Sequence, residues 1–445
     1  MWIYFVDPVL RAPTIGCMLM CLAAALVGVL VFLRKQSLLG ESLSHASYPG
    51  VVVGVVVASP WITTKNEGLV IAVAVAAGAF VTAWIGLLVI ELLQRKVGVR
   101  IDAALCFVLS AFFGIGLTIA SHVQFTHTTL YLKMLPYLYG QPATMTDVHI
   151  VIYGILSLVI LLMVILLHKE LQAISFDRDF AASLGINVKT IDAVILFLVV
   201  LAVVVGIRSV GVVLMSAMLI APAVAARQWT NNFTMLLIIA ALIGLVSGFL
   251  GNYLSVEGNR YFSRGDAYWR FALPTGPMIV LVAGVMCILS LLLASERGLL
   301  WRKLRALRFR YRCICENILK TLWHFGSENE IALEVVAKYQ DISSIYLKFI
   351  LWRLSSHRWV NNTKPRYYCL TNDGRQWAAK IVRLHRLWEL YLADYVGVGV
   401  ERVHRNAEEM EHIISSEVEE QLTQLLHNPK QDPHDQPIPS KDFVI

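Results

Sequence analysis

Two clusters of residues in this chain have the types and the spacing to hold a metal ion. In the first, Ser37-Leu-Leu-Gly-Glu41-Ser-Leu-Ser-His45-Ala-Ser-Tyr-Pro49-Gly50, a carboxylate and an imidazole stand four residues apart at the start of an apolar stretch. Helical geometry puts both on one face. A charge at membrane depth is costly and usually faces a polar cavity or a partner, so Glu41 and His45 are candidates for a translocation path. Oxygen plus imidazole nitrogen suits divalent manganese, iron or zinc. The plainer reading is that the pair sits at a membrane interface and closes a helix start.

The second cluster lies near the C-terminus. His385 and Glu389 are an i,i+4 pair, and His404, Glu408, Glu411 and His412 bring further donors to one predicted helix. Imidazole and carboxylate without thiolate favour Mn²⁺ or Fe²⁺ over a structural zinc site, although an ordinary charged helical surface can show the same spacing. Cys313-x-Cys315 is short for a zinc knuckle and no second pair follows. The seven cysteines are scattered and suggest no disulfide framework.

The elements that must position these groups are of two kinds. Hydrophobic residues make up 57% of the chain and charged ones only 16%, with a mean hydropathy of +0.64, which excludes an ordinary soluble globule. The long apolar runs stop at Leu293, and Arg, Lys, Glu and His dominate afterwards. A spanning helix needs roughly 20 apolar residues, and windows near 13–33, 37–60, 67–92, 101–120, 147–167, 190–207, 209–226, 233–251 and 275–294 predict about nine spans. Met1 to Pro13 has no basic n-region and no cleavage site follows, so the first run reads as a retained span.

The loops at Arg34-Lys35, Arg95 to Arg100, Lys169 to Lys189 and Arg227 are basic and fall on one side, as does everything after Glu296, which makes that side cytoplasmic. Lys133, Arg208, Arg260, Arg264 and Arg270 fall on the other side, so the bias is not absolute. His122 and His127, at the outer end of the fourth span, could take metal from a binding protein or be simple loop histidines. The chain has no Gly-x-x-x-x-Gly-Lys-Ser/Thr loop, so it reads as a transporter subunit and not an enzyme, with energy from a partner or an ion gradient.

Glu296 to Arg312 is strongly basic with Leu, Trp and Phe interleaved. It reads as a juxtamembrane amphipathic segment, with nucleic-acid contact the alternative. Helical spacing then recurs at Glu316 to Phe325, at Ile331 to Tyr339, and at Asp341 to Leu354, whose Asp and Ser residues suit a helix N-terminus. Trp359-Val360, a polar turn and Tyr367 to Thr371 complete the order of a winged helix-turn-helix. Ser343, Ser344, Tyr346 and Lys348, on the third of these helices, are the candidate DNA contacts.

With these segments in place, two resemblances become specific. Ser37 to Gly50 resembles the Gly-Asp-Ala-Leu-Ser-His-Ala signature of the zinc/manganese/iron permease family of ABC importers, with Glu41 where that family usually has Asp. Phe176-Asp-Arg-Asp-Phe-Ala-Ala-Ser-Leu-Gly185 looks like its cytoplasmic coupling segment, Val212 to Arg227 like its small-residue span, and Leu273-Pro-Thr-Gly-Pro277 like the start of its last helix. That resemblance implies ATPase coupling through Phe176, Asp177, Asp179, Leu184 and Gly185. It also implies an ATP-binding subunit, a periplasmic metal-binding protein, and a second permease copy or a sister permease.

Residues 316–439 resemble the diphtheria-toxin-repressor family of iron- and manganese-dependent repressors, on His385-Arg-Leu-Trp-Glu389, Val403-His404, Glu411-His412 and Asp432-Pro-His-Asp-Gln-Pro-Ile-Pro439. By motif, His385, Glu389 and His404 correspond to one Fe²⁺ or Mn²⁺ site, and Glu408, Glu411 and His412 to the other. Glu408 matches the manganese-responsive branch. Asn317 and Lys320 depart from it, standing where that family places further ligands. The resemblance also implies operator DNA as a partner.

The chain is therefore expected to be an all-α polytopic membrane protein with a C-terminal cytoplasmic winged helix-turn-helix domain and a helical dimerisation and metal-sensing domain. The expected boundaries are permease 1–295, basic juxtamembrane linker 296–312, winged domain 313–375 and metal-binding domain 376–445. Its expected place is the bacterial inner membrane, with the C-terminal part open to release by proteolysis between about Ser295 and Arg312. The expected function is a divalent-metal permease subunit fused to a metal-dependent transcriptional repressor. A permease whose tail gates transport without binding DNA is the alternative, and a membrane metalloenzyme is disfavoured because no His-Glu-x-x-His helix is present.

Overall fold

A helix that is apolar all round can only be buried among other helices or face lipid, and most of the N-terminal helices are of this kind. The computed structural model describes residues 2–61, 67–262, 273–295, 297–326 and 329–440; Arg264, Arg270 and Glu296 lie outside them. The chain forms two compact units, Met1–Arg302 and Lys303–Ile445.

In the first unit a short turn α1 (Ile3–Val6) precedes α2 (Pro8–Leu33), α3 (Ser37–Ala58), α4 (Glu67–Arg95), α5 (Ile101–Thr126), α6 (Thr128–Tyr139) and α7 (Asp147–Leu166). Then follow α8 (His168–Phe176), α9 (Arg178–Ser183), α10 (Val188–Val210), α11 (Met215–Arg227), α12 (Phe233–Phe262) and α13 (Thr275–Leu293). Among the described residues eight helices, α2, α3, α4, α5, α7, α10, α12 and α13, are long and apolar enough to cross a bilayer. Asp7 caps α2, its carboxylate accepting from Val9 N at 2.8 Å. Ala23, Ala24, Ala25 and Val27 of α2 are fully buried, so this helix is central. α7 instead exposes Leu158, Leu162, Ile165 and Leu166, the surface a lipid-facing helix must offer.

The window at 209–226 departs from the expected full span, because helix covers only the 13 residues Met215–Arg227. The reason is a crossing of two glycines. Gly140 (φ +73°) and Gly211 (φ +89°) are both left-handed, and a Cβ on Gly211 would stand 2.6 Å from Gly140 N. The non-helical link is satisfied from α6 and the turn after it: Val212 N donates to Tyr137 O at 3.1 Å and Gln141 N to Arg208 O at 3.2 Å. Irregular backbone at membrane depth is tolerated only where protein satisfies it in this way.

α3 and α4 meet at Gly50 and Gly78, where a Cβ on Gly78 would lie 2.2 Å from the Gly50 carbonyl oxygen. Close backbone approach of this kind drives helix association in lipid, where no hydrophobic effect separates helix from solvent. Gly78→Ile is expected to force the helices apart at a cost of about 1–3 kcal/mol, the usual range for overpacking. Thermal unfolding of the detergent-solubilised protein should then move down; an unchanged midpoint would refute this packing.

The second unit contains most of α14 (Leu299–His324), then β1 (Ile331–Ala332), α15 (Leu333–Gln340), α16 (Ser344–Ser356), β2 (Val360–Lys364) and β3 (Tyr367–Leu370). It ends with α17 (Asn372–Asp394), α18 (Val400–Met410) and α19 (Ser416–Leu425). The strands form an antiparallel sheet in the order β1-β3-β2. Ile318, Leu319, Val336, Leu347, Ile350 and Leu351 are fully buried and make the core of the winged module.

Three expectations change here. Residues 299–312 are not a separate linker but the first half of α14, which runs to His324 because no Gly or Pro interrupts Arg- and Leu-rich sequence. Most of the proteolysis window Ser295–Arg312 is therefore helical, and a protease would have to act before Leu299 or on unwound helix. Ile331-Ala332 is a strand rather than the start of a helix. Asp341 does not open α16; it closes α15 in the left-handed region (φ +49°), and Ser343 is the cap.

Candidate metal centre

His385 and Glu389 lie one turn apart on α17. Val403 and Ala407 of α18 are fully buried, and α18 packs on α17 and brings His404 to the same point. His385 Nε2, His404 Nδ1 and Glu389 Oε1 form a triangle with sides of 3.0, 2.9 and 3.1 Å. Donors about 2.1 Å from one ion, held at right angles to each other, stand roughly 3 Å apart, so this triangle fits three adjacent ligands of a single divalent ion. Two imidazoles and one carboxylate on one face leave the other coordination positions open and suit Fe²⁺ or Mn²⁺. His385 and Glu389 are buried and His404 is exposed, which gives the cluster an open side.

The electrostatics of the cluster are mutual. Burial pulls the His385 imidazole down, but its bonds to Glu389 and Glu411 outweigh this and hold it above the ordinary histidine value. Burial pushes the Glu389 and Glu411 carboxyls up, and bonds to His385 and its neighbours more than reverse that, so both lie below the usual carboxylate range. The second ring nitrogen of His385 is fixed by Glu411. Such an orienting partner is what a metal-binding imidazole needs.

The other expected group is arranged differently. α18 ends at Met410, so Glu411 and His412 follow the helix instead of extending its stripe. Glu411 turns inward between His385 and Lys320, whose Nζ stands 2.9 and 3.0 Å from its two oxygens. Glu408 is exposed, with Oε1 4.0 Å from Lys320 Nζ and 3.6 Å from His404 Nε2. His412 Nδ1 pairs with Glu316 Oε2 at 2.6 Å, and Arg312 pairs with the other oxygen of Glu316 at 2.7 Å. The role of Glu316 was missed in the sequence, although it stands one turn before Lys320 on α14.

In the winged module, Ser343 Oγ accepts from Tyr346 N, and α16 buries Leu347, Ile350, Leu351 and Leu354. Ser343, Ser344, Tyr346 and Lys348 all fall on its exposed side, together with Ile345, Phe349 and Trp352. A helix with one face in the core and an aromatic and basic face outside is built as a recognition helix must be.

In the first unit, His45 is buried, with Nδ1 lacking a hydrogen-bond partner and its ring edge-on to Phe113 at 4.5 Å. Glu41 lies one turn earlier and is half-buried. His122 and His127 are exposed. Arg208 is buried, donates to Thr144 Oγ1 at 2.9 Å and lies 4.9 Å from the Tyr137 ring centre. Residues 168–183, which include most of the expected coupling segment, form α8 and α9 around Asp177, which caps α9 by accepting from Asp179 N at 3.0 Å and Phe180 N at 2.9 Å. Gly185 follows the helix end in the left-handed region, and Phe176, Phe180 and Leu184 are exposed together. Asp192 of α10 pairs with Arg178 of α9 and, at 2.8 Å, with Arg34. A movement of α9 would thus reach α10 and the α2–α3 link.

A polytopic helical permease followed by a winged module and by helices whose His385, Glu389 and His404 could hold a metal ion is the class these features define. The chain matches the ABC 3 transport family over residues 6–294 and belongs to it. Residues 371–440 match the iron dependent repressor, metal binding and dimerisation domain. A probable metal transport system membrane protein of Chlamydia pneumoniae is 36% identical over 445 residues, covering 98% of each chain. The manganese transport system membrane protein MntC of Bacillus subtilis is 31% identical over 394 residues, covering 88% of this chain and 86% of that one. The structure of PsaBC from Streptococcus pneumoniae has the same permease fold, with a TM-score of 0.56 at 23% identity over 68% of this chain and 100% of that one.

Proposed function

We propose that the chain is the membrane permease of an ATP-driven importer of a divalent metal of the manganese, iron and zinc class, and that its C-terminal unit is a repressor that binds operator DNA when it holds Fe²⁺ or Mn²⁺. The observation that carries the sensing half is the triangle of His385 Nε2, His404 Nδ1 and Glu389 Oε1. Family membership over residues 6–294 supports the transport half. Glu41 and His45 line the path in this reading, and Phe176, Asp177, Asp179, Leu184 and Gly185 form the surface offered to an ATP-binding subunit. An exposed apolar group on a capped helix is what such docking requires.

A periplasmic metal-binding protein delivers the ion, and a second permease copy or a sister permease completes the pore. The C-terminal unit lies in the cytoplasm, on the side of the basic loops. There Ser343, Ser344, Tyr346 and Lys348 meet DNA. The test is one preparation with two readouts. The purified chain with its ATP-binding subunit in proteoliposomes should take up Mn²⁺, Fe²⁺ or Zn²⁺ only with ATP. The same chain should retain DNA from its own promoter with Mn²⁺ and release it with a chelator. Ion-sensitive uptake without DNA retention would instead favour the gating role for the tail.

A further inference from the structure

The second ligand group does not fit a metal ion, because a positive charge is already there. We infer that this chain senses metal with one ion per C-terminal unit, and that the ammonium of Lys320 stands in for the second. The inference rests on the proposed metal-sensing role of the same unit and specifies its ion count. Lys320 Nζ lies 2.9 and 3.0 Å from the two oxygens of Glu411 and 4.0 Å from Glu408, among the carboxylates that would otherwise have to neutralise a divalent cation.

The Glu411 side chain is wholly buried and its carboxylate is taken up by Lys320, His385 and His412, so it has no exposed face from which an arriving ion could bind without displacing the lysine. His412, the imidazole of the group, is held through Nδ1 by Glu316, and its Nε2 is 3.7 Å from Glu411. A buried carboxylate needs a compensating charge, and an ammonium provides it without exchange with solvent. An ion at this position would also suffer direct repulsion from the ammonium at short range.

The arrangement has a consequence for how the unit is held together. Lys320 lies on α14, the first helix of the winged module, and Glu411 follows α18 of the metal-binding helices. A dissociable ion at this point would make that link conditional on metal supply; the lysine makes it permanent. Only the triad of His385, Glu389 and His404 is then left to respond to metal.

The test counts Mn²⁺ bound per full-length chain after equilibrium dialysis in detergent, comparing variants so that ions held elsewhere cancel. His404→Ala is expected to lower the count by one. Glu408→Gln is expected to leave it unchanged, and Lys320→Gln, which frees two carboxylates, to raise it by one. Loss of one ion from Glu408→Gln would overturn the lysine inference alone. A count unchanged by His404→Ala would overturn the metal-site reading on which it rests. Lys320→Gln risks unfolding through its buried partner, but the Glu408→Gln result decides the question without it.

Discussion

His45→Ala should abolish metal uptake while leaving a folded, assembled permease. His45 is buried within α3 and its Nδ1 has no hydrogen-bond partner. Leaving a buried polar atom unpaired costs about 1–3 kcal/mol, so its retention at membrane depth needs a use. Glu41, one turn away on the same helix, supplies a carboxylate that can share an ion with the imidazole. Alanine removes the donor and the contact with Phe113, worth roughly 0.5–1.5 kcal/mol if treated as an aromatic pair. That loss is small beside the burial of the surrounding helices. ATP-driven uptake of Mn²⁺ into proteoliposomes measures the effect, and size-exclusion of the complex measures assembly. Glu41→Gln should impair uptake in the same direction, since it keeps shape and removes charge. A wild-type rate in His45→Ala would remove the imidazole from the path.

The parts of this protein that could be read from its residues are those set by local pattern. Apolar runs marked the spanning helices, Gly185 marked the end of the short helix before it, and the i,i+4 spacing of His385 and Glu389 put two donors on one face. What escaped depends on distant contacts. The shortened α11 follows from Gly140 and Gly211 crossing, which neither segment reveals alone. Glu411 and His412 are expected on one helix with His404 because nothing in the sequence stops that helix at Met410. Their positions are set by Lys320 and Glu316, 91 and 96 residues earlier. The sequence did mark Lys320 as a departure, but only geometry shows its ammonium against Glu411.

Removing one ligand of the triad, by His385→Ala, is expected to reduce operator binding in Mn²⁺ to the level seen with a chelator. The route from ion to DNA is α17. Thr371 caps this helix directly after β3 of the wing, Gly374 packs on the backbone of Trp359, and Trp377 stacks on the Trp359 ring at 5.5 Å. Ala378 is buried in the winged core, and about two and three turns further the same helix presents His385 and Glu389. His385 and Glu389 of α17 and His404 of α18 would together hold the ion, which would fix α18 against α17, and α17 is continuous with the wing. Where two copies meet through this region, fixing it sets the spacing of their recognition helices, which must match half-sites on DNA. Coupling between two sites typically amounts to 1–3 kcal/mol, so Mn²⁺ should tighten wild-type binding by roughly 5–150-fold. Fluorescence anisotropy of labelled promoter DNA with the full-length protein in detergent measures this. His385→Ala should erase the gain, whereas His434→Ala, an exposed histidine of the C-terminal tail, should keep it. Equal affinity of the wild type with Mn²⁺ and with chelator would refute the coupling, and a full Mn²⁺ response in His385→Ala would place the sensing ion elsewhere.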